Sequence, residues 1–324
     1  MMRKTLIFIG LGWLLMGFEA PRWGFFGHRQ INRLAVFTLP PEMAGFYKKH
    51  ADYLEEASVN PDRRRYAVPE EGPRHYLDLE GYGDSAVWKL PRYEQEARAQ
   101  LGADSMRAHG SLPWHVFTMY SRLRDAFLVN DPGAILRLSA ELGHYVADAH
   151  VPLHTTVNYD GQLTRQTGIH ALWESRLPEL FFDQYRFWVG RATYVENVQL
   201  RAWAIVAHTR TLVDSVLIID RQMQATWGET KYSFETKGRQ TQRVVARPYA
   251  LAYHTALQGM VERQMRASVK ALGDLWYTAW VDGGQPDLRR LMTYQPTEEE
   301  IQLRQAELKL WKARRFGARA HEAD

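Results

Sequence analysis

Apolar residues recur every three or four positions along the middle of the chain, most regularly over residues 134–149. That period is typical of a helix with one face turned to a core. Asp131 and Pro132 stand directly ahead of it, and an aspartate followed by proline often begins a helix. The spacing therefore predicts a buried helix here. Its apolar face is formed by Ile135, Leu138, Leu142, Tyr145, Val146 and Ala149.

Similar patterns predict helices before and after this segment. Ser111 and Pro113 mark the start of a helix that runs to about Phe127. Residues 200–223 and 248–281 each have the pattern of one long amphipathic helix, and a pair of glycines follows the second. Helical signals thus account for most of the chain beyond residue 110.

The alternation typical of β-strands is scarce. The segments around His75 and Phe187 are short and lie among proline, glycine and charged residues. Thr297 and Glu300 form a capping box that predicts a final polar helix. We therefore predict an all-α protein, a single mainly helical domain with long irregular connections.

Composition is compatible with one large domain. The chain has 324 residues, 45% of them hydrophobic, which is enough for a sizeable core. No spacer rich in Ser, Gly or Pro and no repeat divides it, which favours one domain over residues 23–290 and a polar helical extension over 291–324. The net charge is only +4 and the basic residues are dispersed, which argues against a protein that coats nucleic acid.

The N-terminal segment has the organisation of a secretory signal. Arg3 and Lys4 precede an apolar run over residues 5–18, and Glu19 and Ala20 follow it. The run is short for a membrane span, and without cysteine no bacterial lipoprotein anchor is available, which favours a cleaved signal over an anchor. We predict a signal peptide over residues 1–22 and a periplasmic or secreted protein.

Because the chain has no cysteine, any zinc site must use histidine, carboxylate or main-chain ligands. The most informative segment ends the predicted buried helix. His144 and Asp148 are four residues apart, so both side chains project from one helix face. Pro152 ends the helix, which lets His154 turn back towards a neighbouring position. This is metal-ligand spacing, and it allows two metal positions.

A second pair repeats the four-residue spacing. His170 and Glu174 follow Gly168 closely, and they share one face of a short predicted helix. Taken alone, such a pair is most often a surface ion pair. Two pairs within about thirty residues, with His154 between them and apolar neighbours around them, favour zinc.

These motifs together resemble the superfamily of zinc-dependent phospholipases C and single-strand-specific zinc nucleases of the fungal and plant type. The resemblance covers residues 23–174, and the helices beyond match only in general character. The motifs are, in order, Trp23 and His28 in WGFFGH, Asp62 ahead of His75 in HYLD, His144 and Asp148 in HYVAD with His154 in PLH, and His170 and Glu174 in HALWE.

The resemblance implies an all-helical enzyme with a trinuclear zinc cleft. It implies one zinc on Asp62, His75, His144 and Asp148, a second on His28 and the main chain of Trp23 with Asp148 as bridge, and a third on His154, His170 and Glu174. Asp62 and Asp148 are the implied catalytic carboxylates, at the zinc pair that converts a shared water to hydroxide. In the family's exported members the tryptophan is the mature N-terminus, whereas Trp23 here follows Arg22, an unusual signal-peptidase site.

Other polar residues near the motifs have ordinary structural interpretations. His150 lies about 200° around the helix from Asp148 and is expected to point away from the metals. His115 is expected to have a structural role, and the arginines at residues 63–65 are interpreted chiefly as a solvated face.

Two substrate classes fit the motifs. The number of residues between Trp23 and His28 resembles the nuclease branch. In contrast, Glu174 stands where the nucleases use aspartate, and this residue resembles the phospholipase branch. Nearby aromatic side chains would serve as platforms for bases or as an apolar rim for acyl chains. These side chains are Phe25, Phe26, Tyr159 and Trp173.

The sequence has no run of interleaved basic and aromatic residues that would bind single-stranded nucleic acid, which favours the phospholipase C-like interpretation. The sequence therefore predicts a zinc-dependent phosphodiesterase, with phospholipid as substrate or, alternatively, single-stranded nucleic acid. The alternative of another class is an exported zinc-binding protein without catalysis. No obligate protein partner is evident.

Overall fold

The computed structural model describes residues 25–237 and 240–315. The predicted signal peptide and Trp23 lie outside these residues, so both stay predictions. Within the described ranges most residues are helical and the strands form one two-stranded sheet. The prediction of a mainly all-α fold is confirmed.

The helices and strands follow one another in this order: α1 (Phe25–Ala35), α2 (Pro41–Lys49), α3 (Ala51–Ala57), α4 (Asn60–Arg64), α5 (Ala86–Lys89), α6 (Glu94–Leu101), α7 (Ala103–His109), α8 (Leu112–Leu128), α9 (Pro132–Asp148), α10 (Ile169–Ala171), α11 (Leu177–Phe181), α12 (Val198–Arg210), α13 (Val213–Trp227), β1 (Tyr232–Lys237), β2 (Gln240–Val245), α14 (Arg247–Ala256), α15 (Met260–Asp282) and α16 (Glu298–Lys312). A π-helical turn, Leu172–Arg176, joins α10 to α11.

Helix α9 is the centre of the fold. It packs against α8, α3, α1 and α15, and every residue from 138 to 150 is buried. A helix that is buried on all sides places its polar side chains in the protein interior, where they are stable only with polar or metal partners. The predicted N-cap is confirmed, because the Asp131 side chain accepts a hydrogen bond from the backbone N–H of Ala134.

The two long helices predicted near the C-terminus are wrong, since each is split in two. Residues 200–223 fall in α12 and α13, which are separated at Thr211, whose hydroxyl donates to the carbonyl of His208. Residues 248–281 fall in α14 and α15, separated by Gln258 and Gly259, which have φ of 51° and 75°. Left-handed residues end a helix, and apolar periodicity does not report a break of two or three residues.

The hairpin of β1 and β2 is absent from the sequence prediction. Phe234 pairs with Arg243 in this antiparallel ladder. The strands are short, rich in polar residues and largely solvent-facing, so the apolar alternation that identifies a half-buried strand is weak. The Arg176 guanidinium donates to the Glu235 carboxylate, which attaches the hairpin to the π-helical turn.

The C-terminal helix α16 begins at the predicted capping box between Thr297 and Glu300. It contacts α4, and its Trp311 ring is buried under the Arg64 guanidinium. The described part of the predicted extension therefore packs on the helical domain. The segment Val198–Lys231 is long and apolar enough to cross a membrane by length and composition alone, but it is divided at Thr211, and α12 packs against α8.

Candidate metal centre

The predicted face of α9 carries two potential ligands. His144 Nε2 lies 3.3 Å from Asp148 Oδ2, so the four-residue spacing brings both side chains to one point. His144 has no exposed surface and Asp148 is 1% exposed. Two polar side chains this deep require compensating partners, and those partners come from three other segments.

Helix α1 brings His28 to the same place because α9 has a glycine where the two helices meet. A Cβ on Gly143 would lie 2.4 Å from the side-chain oxygen and nitrogen of Asn32. The Asn32 amide in turn donates to the carbonyl of His28. Without a side chain at residue 143, the His28 ring stacks on the His144 ring with centroids 4.0 Å apart.

The first ligand group combines α9 with α4 and the turn before residue 77. His75 Nδ1 lies 2.9 Å from His144 Nε2, 3.1 Å from Asp148 Oδ2 and 3.7 Å from Asp62 Oδ1. His144 Nε2 also lies 3.7 Å from Asp62 Oδ1. The four side chains that the resemblance places on one zinc are therefore brought together, each of them buried.

These separations fit a single small metal ion. In a tetrahedral site with bonds of about 2.0–2.2 Å, ligand atoms lie roughly 3.3–3.6 Å from one another. The measured distances within the first group scatter around that range, from 2.9 to 3.7 Å. Two imidazole nitrogens and two carboxylate oxygens converging on a volume of this size are donors that divalent metals prefer.

A further ligand group is formed by His154, His170 and Glu174. Glu174 Oε2 lies 2.7 Å from His170 Nε2 and 3.3 Å from His154 Nε2. His170 Nδ1 donates to the Tyr159 carbonyl, and His154 Nδ1 donates to the His75 carbonyl. Hydrogen bonds from the outer nitrogen fix the ring and aim Nε2 inward, which is how metal-binding imidazoles are held.

Local backbone shape explains how His170 and Glu174 reach this position. Gly168 precedes the short helix α10 with φ of 93°, a conformation that only glycine adopts readily. Glu174 lies in the π-helical turn, and such turns occur frequently at functional sites. The turn also contacts α1, since a Cβ on Gly27 would lie 3.8 Å from the Glu174 carbonyl.

His28 connects the two groups. Its Nε2 lies 3.5 Å from Asp148 Oδ1 and 3.3 Å from Glu174 Oε1. Asp148 therefore presents one oxygen to the first group and the other to His28. Glu174 likewise presents one oxygen to His28 and the other to His154 and His170. His28, His144 and Asp148 make a third ligand group. The three groups form one continuous centre with two shared carboxylates, and only the sharing of Asp148 was predicted.

Electrostatics in the centre reflect closely spaced imidazoles and carboxylates. Burial acts to lower the pKa of His28 and His75, but hydrogen bonds and charges from Glu174, Asp148, Glu71 and Asp62 raise both pKa values to about 9. Burial, with His28 and His75 nearby, holds the pKa of His144 well below its usual value.

The same neighbours act on Glu174. Burial acts to raise the pKa of Glu174. The imidazoles of His154, His170 and His28 outweigh burial and lower this pKa well below its usual value. The carboxylate is therefore ionised, and divalent ions bound here would replace protons that the imidazoles otherwise hold.

Sequence reasoning missed a buried network behind His75. Glu71 has no exposed surface, and its Oε1 lies 3.6 Å from His75 Nε2. The Glu71 carboxylate accepts hydrogen bonds from Arg64, Arg74 and the Tyr145 hydroxyl. The sequence signal for this contact is the four-residue spacing of Glu71 and His75, the same spacing as in the α9 and α10 motifs.

The arginine run at residues 63–65 is not the solvated face that the sequence indicated. The Arg64 side chain joins Glu71 to Glu141, and Arg65 is 4% exposed with Nη1 3.4 Å from Asp62 Oδ1. Arg63 alone makes a pair of the expected surface type, with Glu56.

The aromatic side chains proposed as substrate platforms divide into two groups. Trp173 and Phe25 are buried, at 3% and 7% exposed, so they belong to the core. Phe26 and Tyr159 are partly exposed. His150 donates from Nδ1 to the Val146 carbonyl within its own helix, in keeping with the expectation that it points away from the ligands.

Comparisons with known proteins give no family for the chain: no protein-family model matches it, and no curated protein matches it. The class of site therefore follows from its geometry. It is a buried centre of three joined groups of histidine and carboxylate side chains that can hold metal ions.

Proposed function

We propose that this protein is an exported zinc-dependent phosphoesterase that hydrolyses phosphodiester bonds, with phospholipids as the substrate class. The observation that carries the proposal is the sharing of Asp148 and Glu174 among three ligand groups. Carboxylates that present two oxygens to neighbouring sites are suited to holding clustered dications a few ångströms apart.

Zinc is the proposed ion because of the donor set. The three groups offer imidazole nitrogens with a minority of carboxylate oxygens, whereas magnesium and calcium prefer oxygen alone. The near-tetrahedral separations in the first group support the same assignment. Copper, nickel or iron would bind the same donors, so metal identity is part of the test.

Zinc bound here would supply a hydroxide at neutral pH and positive charge for the oxygens of a phosphodiester. The protein's side chains hold the ligand groups in fixed positions. Asp148 holds the first group and His28 at a fixed separation, and Asp62 completes the first group opposite it. Glu71 faces the outer nitrogen of His75, which orients that ring.

The charge balance supports an anionic substrate. Asp62, Asp148 and Glu174 are the carboxylates of the centre, and three divalent ions outweigh them, so a loaded centre is positive. The Arg65 guanidinium beside Asp62 adds to this charge. No strongly acidic protein group is needed for the leaving oxygen, because a metal ion can stabilise it.

The loop that holds His170 supports the hypothesis that the substrate is a phospholipid. Its Tyr159 carbonyl accepts from His170, and Leu163 on the same loop is 67% exposed. An exposed leucine and a partly exposed tyrosine on this loop suit an apolar substrate rim. The burial of Trp173 and Phe25 removes both from either role, as platforms for bases or as an apolar rim.

The test combines elemental analysis with hydrolysis of a chromogenic phosphodiester by the mature protein. We expect two or three zinc ions per chain and turnover that a chelator abolishes and zinc restores. Tight zinc binding without turnover would establish the non-catalytic alternative, and absence of zinc from protein prepared without chelator would overturn the proposal. His170→Ala serves as the control for contaminating hydrolases.

A further inference from the structure

A second polar cavity lies on the other side of Tyr145 from the metal centre. It is lined by the turn Gly72–Arg74, helices α6 and α7, and the first half of α8, is open to solvent, and has a volume of about 260 Å³. We name it the arginine cleft. Its polar side chains include Arg74, Arg98, Arg107, Arg122, Ser111 and His115.

The charge in the cleft is only partly balanced within the protein. Of its two carboxylates, Glu70 is exposed, whereas Glu94 is bound by Arg98 through two short hydrogen bonds and also accepts from Thr118. Arg74 is paired with the buried Glu71. Across residues 25–237 and 240–315, Arg107 and Arg122 form no ion pair or hydrogen bond.

The floor of the cleft holds a further unmatched group. His115 is 8% exposed, and its Nε2 has no hydrogen-bond partner among the described residues. Burial, aided by the charges of Arg74 and Arg122, holds the pKa of His115 well below its usual value. The imidazole is therefore neutral and can donate or accept one hydrogen bond. Because Nε2 has almost no accessible surface, His115 closes the floor of the cleft and does not itself bind a ligand.

We propose that the arginine cleft binds a phosphate monoester with a small organic body. Guanidinium groups bind phosphate oxygens through two parallel hydrogen bonds, and a monoester carries close to two negative charges at neutral pH. Arg107 and Arg122 supply two positive charges, which the exposed Glu70 carboxylate of the same lining offsets only in part. A volume of about 260 Å³ admits a phosphate group with a small organic body.

This site does not use the metal ligands. The His115 ring meets the Tyr145 ring edge-on at 4.4 Å, and Tyr145 in turn contacts His75 at 5.5 Å. The cleft and the centre are thus separated by one aromatic ring. The proposal stands whether or not the metal centre hydrolyses phosphodiesters.

The experiment is calorimetric titration of the zinc-loaded protein with inorganic phosphate and with glycerol phosphate. Arg107→Gln/Arg122→Gln removes the two unmatched charges from exposed positions, so the fold is retained, as a melting curve verifies. Wild type should bind one more equivalent of each probe than this variant, or bind it about tenfold more tightly or better. Phosphate held by the metal centre is common to both proteins and cancels in the comparison.

The matched control is Arg201→Gln/Arg221→Gln, which removes the same charge from exposed positions outside the cleft. It should bind the probes like wild type, and chloride at equal ionic strength should not compete. Vesicles containing phosphatidate should also fail to compete, because the cleft admits a free monoester and not a bilayer lipid. Equal phosphate binding by wild type and the cleft variant would overturn the proposal, as would equal weakening by the control.

Discussion

The His28 ring lies stacked on the His144 ring, with centroids 4.0 Å apart and planes 24° from parallel. The two histidines come from helices α1 and α9, which approach closely at Gly143. The stacking of the two rings therefore depends on Gly143, a residue without a side chain.

We expect Gly143→Ala to destabilise the protein and to weaken metal binding at His28. The new Cβ would lie 2.4 Å from the Asn32 side chain, which is fully buried and has no room to move. Overpacking of this kind costs about 1–3 kcal/mol. Thermal unfolding and zinc titration measure the two effects. Gly45→Ala is the control, since nothing lies within 4 Å of its Cβ position in α2, and it should be neutral or stabilising.

Asp148→Asn should reduce phosphodiester hydrolysis far more than His150→Ala. Asp148 presents its oxygens to both His75 and His28, whereas His150 bonds to the backbone of its own helix. The loss should exceed the roughly 10–100-fold typical of residues that only orient ligands. Initial rates per bound zinc give the comparison, and the reverse ranking would mean that the ligand face of α9 is wrongly identified.

Glu71→Gln should lower zinc affinity by about 10–100-fold through the orientation of His75. An amide cannot replace the buried negative charge that Arg64 and Arg74 share. Competition with a chromogenic chelator measures the affinity. Glu70→Gln is the neighbouring control, because Glu70 is exposed. An unchanged affinity in both variants would show that Glu71 has a purely structural role.

Substrate choice follows from what surrounds the phosphate, because a hydroxide held by metal ions treats all phosphodiesters alike. We expect dispersed phosphatidylcholine to release diacylglycerol faster than single-stranded DNA or RNA is cut. His170→Ala should abolish both activities. A higher rate on nucleic acid would establish the nuclease alternative and leave the zinc chemistry intact.

Acid should destabilise the fold partly through His115. Its pKa in the folded protein lies well below the usual 6.5, so below pH 6.5 the unfolded chain binds a proton that the folded chain does not. The free energy of unfolding therefore falls as the pH drops below 6.5, by up to about 1.4 kcal/mol per pH unit for this group. His115→Gln should flatten this dependence in urea titrations at constant saturating zinc. An identical slope in both proteins would contradict the prediction.

The sequence by itself determined the elements whose signals are local. The N-cap at Asp131, the capping box at Thr297 and the pairing of His144 with Asp148 each involve residues within four positions. Helical periodicity and capping act over that distance, so they can be predicted from the sequence without knowledge of the fold. The breaks that separate α12 from α13 and α14 from α15 could not be predicted from the sequence, because they interrupt the helical period of apolar residues for only two or three residues.

Only the tertiary structure decided how distant segments share the centre. That Glu174 reaches His28 as well as His170, and that Glu71 faces His75, depends on where α1, the π-helical turn and α9 pack. Residues 174 and 28 have no sequence relationship that predicts a distance of 3.3 Å between their side chains. Their contact results from the burial of whole helix faces around α9, a property that no local pattern contains.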